Sequence, residues 1–181
     1  MGIKIVNSIR QKTIASIPNS FTLLRLFVLP HLIWSFNHQI TFAVYGLFLF
    51  SIGSDLADGY ISRKLGANSK FGANLDTGVD FIFINGMYLF FIFKGFFSPW
   101  LIIPIIFMFI QFLLTNQIFK KIIYDPIGKY YGSLLFGGIG LTLLYPTQIM
   151  YNIVTIGIII STLVAIFSRL LYFHKTKVIP R

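Results

Sequence analysis

Long apolar stretches separated by short polar ones organise this sequence. Six of them are about 20 residues long, which is the length of an α-helix that crosses the ~30 Å hydrocarbon core of a bilayer. The pattern therefore predicts six transmembrane helices, at residues 20–37, 41–62, 71–94, 100–121, 129–146 and 149–172.

A different pattern precedes the first of these stretches. Residues 1–17 place isoleucine and valine among Lys4, Arg10 and Lys12, as in a short basic amphipathic helix that lies in the membrane interface. The same cations interrupt any apolar core of a signal peptide. The predicted fold class is all-α and integral to the membrane: one domain over 1–181, with an interfacial helix at 1–17, a six-helix bundle at 18–173 and a cytoplasmic tail at 174–181.

The composition agrees with a membrane protein. Hydrophobic residues make up 56% of the chain and charged residues only 11%, whereas a soluble domain carries roughly a quarter charged residues. A water-soluble globular fold is therefore not expected.

The charges are strongly biased toward lysine and arginine. The chain has 15 of these and 5 acidic residues, but the cations form no basic stripe, so a nucleic acid partner is not expected. They cluster at the N-terminus, in the loops after the second and fourth spans and at the C-terminus, while the loops near 37–39 and 146–148 have none. The positive-inside rule then predicts a protein of the cytoplasmic membrane with both termini in the cytoplasm.

Four of the five acidic residues lie close together at the predicted cytoplasmic ends of spans two and three. Asp55 and Asp58 are three residues apart, and Asp76 and Asp80 are four apart, so each pair shares a helix face. The turn-forming residues 66–69 between the spans make the two helices antiparallel neighbours. The two pairs can therefore face each other. A carboxylate at membrane depth costs roughly 2.5–3.5 kcal/mol, which calls for a specific role.

Four carboxylates form a hard oxygen site, which suits Mg²⁺, Mn²⁺ or Ca²⁺. Two divalent cations would neutralise the four charges and clamp phosphoryl oxygens during a displacement. Gly59 and Gly72 each lie one helical turn from an aspartate and leave room for a bulky anion, and Arg63 is placed to hold a phosphate. Spacing alone leaves two alternatives open, which are a charge network that only fixes helix packing and a path for cations or protons.

The same residues carry a resemblance to a known family. The segment 55–80 reads D-x2-D-G-x2-S-R-x8-G-x3-D-x3-D and resembles the signature of the CDP-alcohol phosphotransferases, also called CDP-alcohol phosphatidyltransferases. That signature has alanine where this chain has Ser62, and its other fixed positions match. Residues 18–25, Pro-Asn-Ser-Phe-Thr-Leu-Leu-Arg, resemble the P-N-x-x-T-x-x-R pattern that begins the first span in phosphatidylglycerophosphate synthases.

The resemblance implies a reaction and a set of cofactors. A phosphatidyl-type group would pass from a CDP-linked lipid to an alcohol, with release of CMP, in a homodimeric enzyme of phospholipid biosynthesis. Asp55, Asp58, Asp76 and Asp80 would bind two divalent cations, Mg²⁺ or Mn²⁺, and Asp80 would also be the catalytic general base.

The resemblance also implies which residues bind the substrates. The CDP-linked lipid would lie against Asp55, Gly59, Ser62, Arg63 and Gly72.

The acceptor alcohol follows less directly. Lysines and arginines are plentiful at the predicted cytoplasmic side of the spans, and Asp125 is the one acid outside the signature. These charges favour a phosphorylated acceptor. Glycerol 3-phosphate is the first candidate, and inositol phosphate or an alcohol such as serine is the alternative. Lys129 follows a glycine as in phosphatidylglycerophosphate synthases, but Tyr130 and Tyr131 stand where that group has Lys-Thr. The candidate acceptor-binding residues are Lys129, Arg169, Lys120 and Arg25. For Arg25 and Arg169, pairing within the bundle or snorkelling to the interface is an equal alternative.

Overall fold

The computed structural model describes residues 20, 22–64, 70–119 and 126–176, and this part of the chain is helical without a strand. The predicted all-α class is confirmed. The helices are α1 at residues 22–37, α2 at Thr41–Lys64, α3 at Lys70–Phe93, α4 at Ile102–Phe119, α5 at Pro126–Leu144 and α6 at Gln148–Thr176.

Each predicted apolar stretch corresponds to one helix, with shifts at the ends. A 3₁₀ turn at Pro99–Leu101 precedes α4, and α5 begins at Pro126, three residues before the predicted start. Proline suits the first turn of a helix, because its missing N–H would have no intrahelical partner there. The predicted interfacial helix at 1–17 and residues 177–181 of the predicted tail lie outside the described residues.

Two segments are long and apolar enough to cross a membrane by length and composition, Asn74–Phe93 and Gln148–Ser168. The apolar stretches of α2, of the 3₁₀ turn with α4, and of α5 are shorter in the described residues. Large apolar side chains are also exposed, with Phe42 at 92% and Phe93 at 86%. An extensive exposed apolar surface needs apolar surroundings, and these features indicate a membrane location.

Two helix ends close with the same hydrogen-bond pattern. At the end of α3, the N–H of Phe96 donates to the carbonyl of Phe91 and that of Gly95 to Ile92, both at 2.9 Å, which is a Schellman motif. Gly95 takes the left-handed φ of 75° that this motif requires. At the end of α1 the same position is filled by Gln39, with φ of 57°, so a residue with a Cβ adopts a conformation that glycine adopts without strain.

The chain divides into two compact units, Met1–Met87 and Tyr88–Arg181. The described interior of the first unit holds apolar residues such as Leu32 and Phe83, together with several polar side chains. Buried hydroxyls bond to their own helix: Ser51 donates to the carbonyl of Leu47 at 3.0 Å and Ser54 to that of Ser51 at 2.9 Å. The buried polar residues of this unit are Thr22, Arg25, Ser35, Ser51, Ser54 and Asn85.

Aromatic rings and aliphatic side chains pack the described interior of the second unit. Phe96 stacks on Tyr151 at 4.6 Å between ring centroids, and the Tyr88 hydroxyl donates to the carbonyl of Leu135 at 3.1 Å. Tyr131 lies 2.9 Å from the hydroxyl of Thr162, which itself donates to the carbonyl of Ile158 at 2.7 Å. Tyr131 is therefore the donor in the pair, and the hydrogen bond joins α5 to α6.

Candidate active site

Three aspartates from two helices converge in the first unit. Asp55 belongs to α2, and Asp76 and Asp80 lie four residues apart on one face of α3. One carboxylate oxygen from each lies within 4.8 Å of the others. The side chains are 46%, 38% and 31% exposed, respectively, so an ion or substrate can approach the carboxylates from outside.

An arginine from α1 completes this group. The side chain of Arg25 is fully buried, and its Nη1 lies 3.1 Å from Oδ1 of Asp55. Nη1 also pairs with Asp80, and Nη2 pairs with Asp76. A guanidinium presents its N–H groups in a planar fork, so it can bond several carboxylates at once.

The sequence of α1 explains why Arg25 points inward. Thr22, Val28 and Leu32 are buried together with Arg25, and these positions repeat at three- and four-residue intervals along one helix face. The residues between them are more exposed, Phe27 for example. Packing of this face against the rest of the unit thus carries the guanidinium to the carboxylates.

The other predicted residues of the CDP-lipid site are described less fully. Gly59 lies in α2 and Gly72 in the first turn of α3, both partly buried. Asp58, Ser62 and Arg63 belong to α2 by their backbones, while their side chains lie outside the described part of the chain.

The predicted acceptor-binding residues divide in the same way. Lys129 lies in the first turn of α5 and Arg169 in α6, with side chains outside the described part, and Lys120 is outside it altogether. Arg25 is described in full, and the structure places it on the aspartates. Pairing within the bundle was one of the roles that the sequence left open for it.

The sequence carried a signal for this placement. An arginine within an apolar helix needs an anion, and four of the chain's five acidic residues lie in one short segment. Which helix face turns toward that segment is a tertiary property, so spacing along α1 could not decide between a carboxylate and a substrate phosphate.

The donor set fits a divalent cation. Three ionised carboxylates carry three negative charges and Arg25 supplies one positive charge, so two negative charges remain within the described cluster. Closely spaced carboxylate oxygens are the ligands that hard cations such as Mg²⁺ and Mn²⁺ prefer. A group of this kind can hold metal ions, orient the phosphates bound to them and accept a proton.

Comparisons with known proteins place this chain in a family. The family model of the CDP-alcohol phosphatidyltransferases matches residues 15–177. A relative from Wigglesworthia glossinidia brevipalpis, named CDP-diacylglycerol–glycerol-3-phosphate 3-phosphatidyltransferase, is 30% identical in an alignment of 176 positions that covers 88% of this chain and 93% of the relative. No solved structure is matched by this chain.

The match extends well beyond residues 18–25 and 55–80, which carry the resemblance in the sequence, and includes α4, α5 and α6. The alternative of a cation or proton path finds no support in the match, since the family is one of transferases. The sequence signature, the convergence of its aspartates and the extent of the match lead to one conclusion: the chain belongs to the CDP-alcohol phosphatidyltransferase family and is a transferase.

Proposed function

We propose that this protein transfers a phosphatidyl group from a CDP-linked lipid to glycerol 3-phosphate, releasing CMP, as a step of phospholipid biosynthesis. The family supports the reaction class, and the name of the relative from Wigglesworthia supports glycerol 3-phosphate as the acceptor. The observation that carries the proposal is the convergence of Asp55, Asp76 and Asp80 within 4.8 Å.

The aspartates are the proposed metal ligands. Asp58 shares a helix face with Asp55 by its spacing and is the fourth ligand that the signature supplies. The proposed cofactors are two divalent cations, Mg²⁺ or Mn²⁺. Bound there, they would spread the negative charge of the pyrophosphate and make CMP a better leaving group.

Asp80 is the proposed general base. It is the least exposed of the three described carboxylates, and it lies within the group that would orient the acceptor. As the acceptor oxygen attacks the phosphorus of the phosphatidyl group, Asp80 takes the proton of the hydroxyl. The bond from that phosphorus to the oxygen of CMP breaks, and CMP leaves with the electron pair.

The CDP moiety is proposed to lie along α2 and the start of α3. Asp55, Gly59, Ser62, Arg63 and Gly72 would surround it. The glycines leave space beside the backbone, and a guanidinium at position 63 would pair with phosphate oxygens.

Lysines and arginines of the later helices are proposed to hold the acceptor phosphate. Lys129, Arg169 and Lys120 are the candidates. With Asp125 the one acid outside the signature, an ammonium group such as that of serine would find few anions, which supports glycerol 3-phosphate or inositol phosphate over serine. Arg25 reaches such a phosphate only if it leaves the aspartates.

The proposed setting is the cytoplasmic membrane. We propose one membrane domain with six spans, a homodimer, and both termini and the site facing the cytoplasm. The exposed apolar residues and the two long apolar segments support a membrane location. The distribution of lysine and arginine supports the orientation.

The test is release of CMP from a CDP-linked lipid. Purified protein with Mg²⁺ or Mn²⁺ is given CDP-diacylglycerol or CDP-archaeol and one of three acceptors: glycerol 3-phosphate, inositol phosphate or serine. We expect CMP with glycerol 3-phosphate, loss of release in EDTA and recovery with added Mn²⁺. Release with another acceptor alone would keep the reaction class and change the substrate, whereas no release with any combination would contradict the proposal.

A further inference from the structure

The position of Arg25 poses a problem that the proposed function does not solve. Its guanidinium pairs with Oδ1 of Asp55, Asp76 and Asp80, and these are the carboxylates whose oxygens would bind divalent cations. The guanidinium of Arg25 and a divalent cation would therefore compete for the same carboxylate oxygens.

Arg25 and its carboxylate partners differ in burial, and the difference indicates from which side each cation reaches the carboxylates. Arg25 is fully buried, whereas the three carboxylates keep 31–46% of their side-chain surface exposed. The guanidinium thus holds the cluster from the inside, and an ion from solution reaches the same carboxylates from their open side. A buried arginine without an anion is strongly unfavourable, as are several carboxylates in contact without a cation.

We propose that Arg25 is an internal counter-ion, which holds the aspartates together in the metal-free protein and competes with divalent cations for them. The inference rests on the proposed metal site. A doubly charged ion next to a guanidinium is repelled, so Arg25 keeps the metal affinity lower than the carboxylates alone would make it. In return, the metal-free cluster remains stable.

Arg25→Gln separates this role from a purely structural one. Glutamine removes the charge and keeps a polar side chain, and Asp76 and Asp80 stay one turn apart on α3 in either protein. We expect Arg25→Gln to bind Mn²⁺ at least ~10-fold more tightly than the wild type. Without metal, we expect its Tm to fall by about 5–10 °C, because the carboxylates then repel one another. Saturating Mn²⁺ should restore most of that loss.

The measurement uses the full chain in detergent without substrates. Free Mn²⁺ is followed by electron paramagnetic resonance during titration, and unfolding is followed by tryptophan fluorescence in EDTA and in Mn²⁺. Lys94→Gln is the matched control, since it removes one positive charge from an exposed lysine at the end of α3. It should change neither the Mn²⁺ affinity nor the gain in Tm on adding Mn²⁺.

The outcomes are distinguishable. Equal or weaker Mn²⁺ binding by Arg25→Gln, or an equal loss of Tm with and without Mn²⁺, would overturn the counter-ion role and leave the metal site intact. Absence of Mn²⁺ binding to the wild type would overturn the proposed metal site, and the inference with it.

Two further variants keep the test decisive if Arg25→Gln is not recovered. Arg25→Lys keeps the charge, but its ammonium cannot span several carboxylates as a guanidinium does. It should gain more Tm from Mn²⁺ than the wild type, and an unchanged gain would contradict the proposal. Adding Asp76→Asn to Arg25→Lys should raise the Tm in EDTA above that of Arg25→Lys, because one repelling charge is removed. No such rise would also contradict the proposal.

Discussion

The two units of this chain differ in the polar groups that their interiors hold. Both consist of helices with apolar exteriors, but the described interior of the first unit contains an arginine, hydroxyls and an amide, with three aspartates at its open side. The described interior of the second unit contains aliphatic and aromatic side chains with two threonines, and the threonine hydroxyls bond to carbonyls one turn earlier on their own helices.

From this difference we expect the reaction to depend on the first unit and the second unit to contribute mainly stability. Unbalanced charge remains at the first unit, where three carboxylates face one guanidinium. In the second unit, the hydrogen bonds that are described join neutral groups, such as Tyr88 to Leu135 and Tyr131 to Thr162. Substitutions in the first unit should therefore change turnover, and substitutions in the second should change stability.

The largest effect should come from Asp80→Asn. Asparagine cannot accept the proton of the acceptor hydroxyl, so we expect kcat to fall by about 10²–10⁴-fold, with CDP-lipid binding largely retained. CMP release and a lipid-binding assay measure the two quantities. Asp125→Asn makes the same chemical change outside the signature and should keep its activity. Full turnover by Asp80→Asn would remove the base assignment.

Gly138→Ala tests the packing of the second unit. A Cβ at this position would lie 2.5 Å from the Tyr88 hydroxyl and 3.1 Å from Cγ1 of Val154. The Tyr88 hydroxyl is already held by the carbonyl of Leu135, so the ring cannot easily move away. We expect a loss of about 1–3 kcal/mol in the free energy of unfolding, measured by thermal unfolding, with turnover at 25 °C close to that of the wild type.

Gly137→Ala is its matched control. Nothing lies within 4 Å of a Cβ at position 137, so this variant should gain up to about 1 kcal/mol from helix propensity. Equal stability of the two variants would mean that the close approach at Gly138 does not limit packing.

Lys129→Ala tests whether a residue of the second unit also affects the reaction, since Lys129 lies in α5 of that unit. If Lys129 holds the acceptor phosphate, the KM for glycerol 3-phosphate should rise about 10-fold, because a charge-assisted hydrogen bond is lost. The affinity for the CDP-lipid should stay the same. Lys94→Ala serves as the control, and an unchanged KM would leave Lys129 a positive-inside residue.

The smallest effects concern the two helix ends. Gln39→Gly should stabilise the protein by about 0.5–1 kcal/mol, because glycine adopts a positive φ without strain. Gly95→Ala should destabilise it by a similar amount for the opposite reason. Paired thermal unfolding curves check both signs, and a loss of stability in Gln39→Gly would show that the Gln39 side chain contributes more than its conformation costs.

Much of the fold followed from hydrophobic runs. The six apolar stretches matched α1 to α6 because a run of that length and composition has few alternatives to a helix. The helix ends were predicted less accurately. The helix α5 begins at Pro126, three residues before the predicted start, although proline at the first turn of a helix is a recognised start signal. The number of membrane spans and the interfacial helix stay predictions.

The site was predictable only in part, and the reason is distance along the chain. Asp76 and Asp80 are one turn apart, so helix geometry alone places them together. Arg25 lies 30 residues from Asp55, 51 from Asp76 and 55 from Asp80, and no local pattern determines a contact at that separation. The sequence named all four residues and left pairing of Arg25 within the bundle open, but it did not determine that Arg25 pairs with these three aspartates.

That separation also sets an order of assembly. Arg25 comes from α1, Asp55 from α2 and the remaining partners from α3, so the full set of ion pairs forms only after three successive helices have met. A nascent chain that ends before residue 76 carries the buried arginine with one of its three described partners. The complete set of Arg25 ion pairs is therefore a late product of synthesis, present only in a chain whose first three helices are already in place.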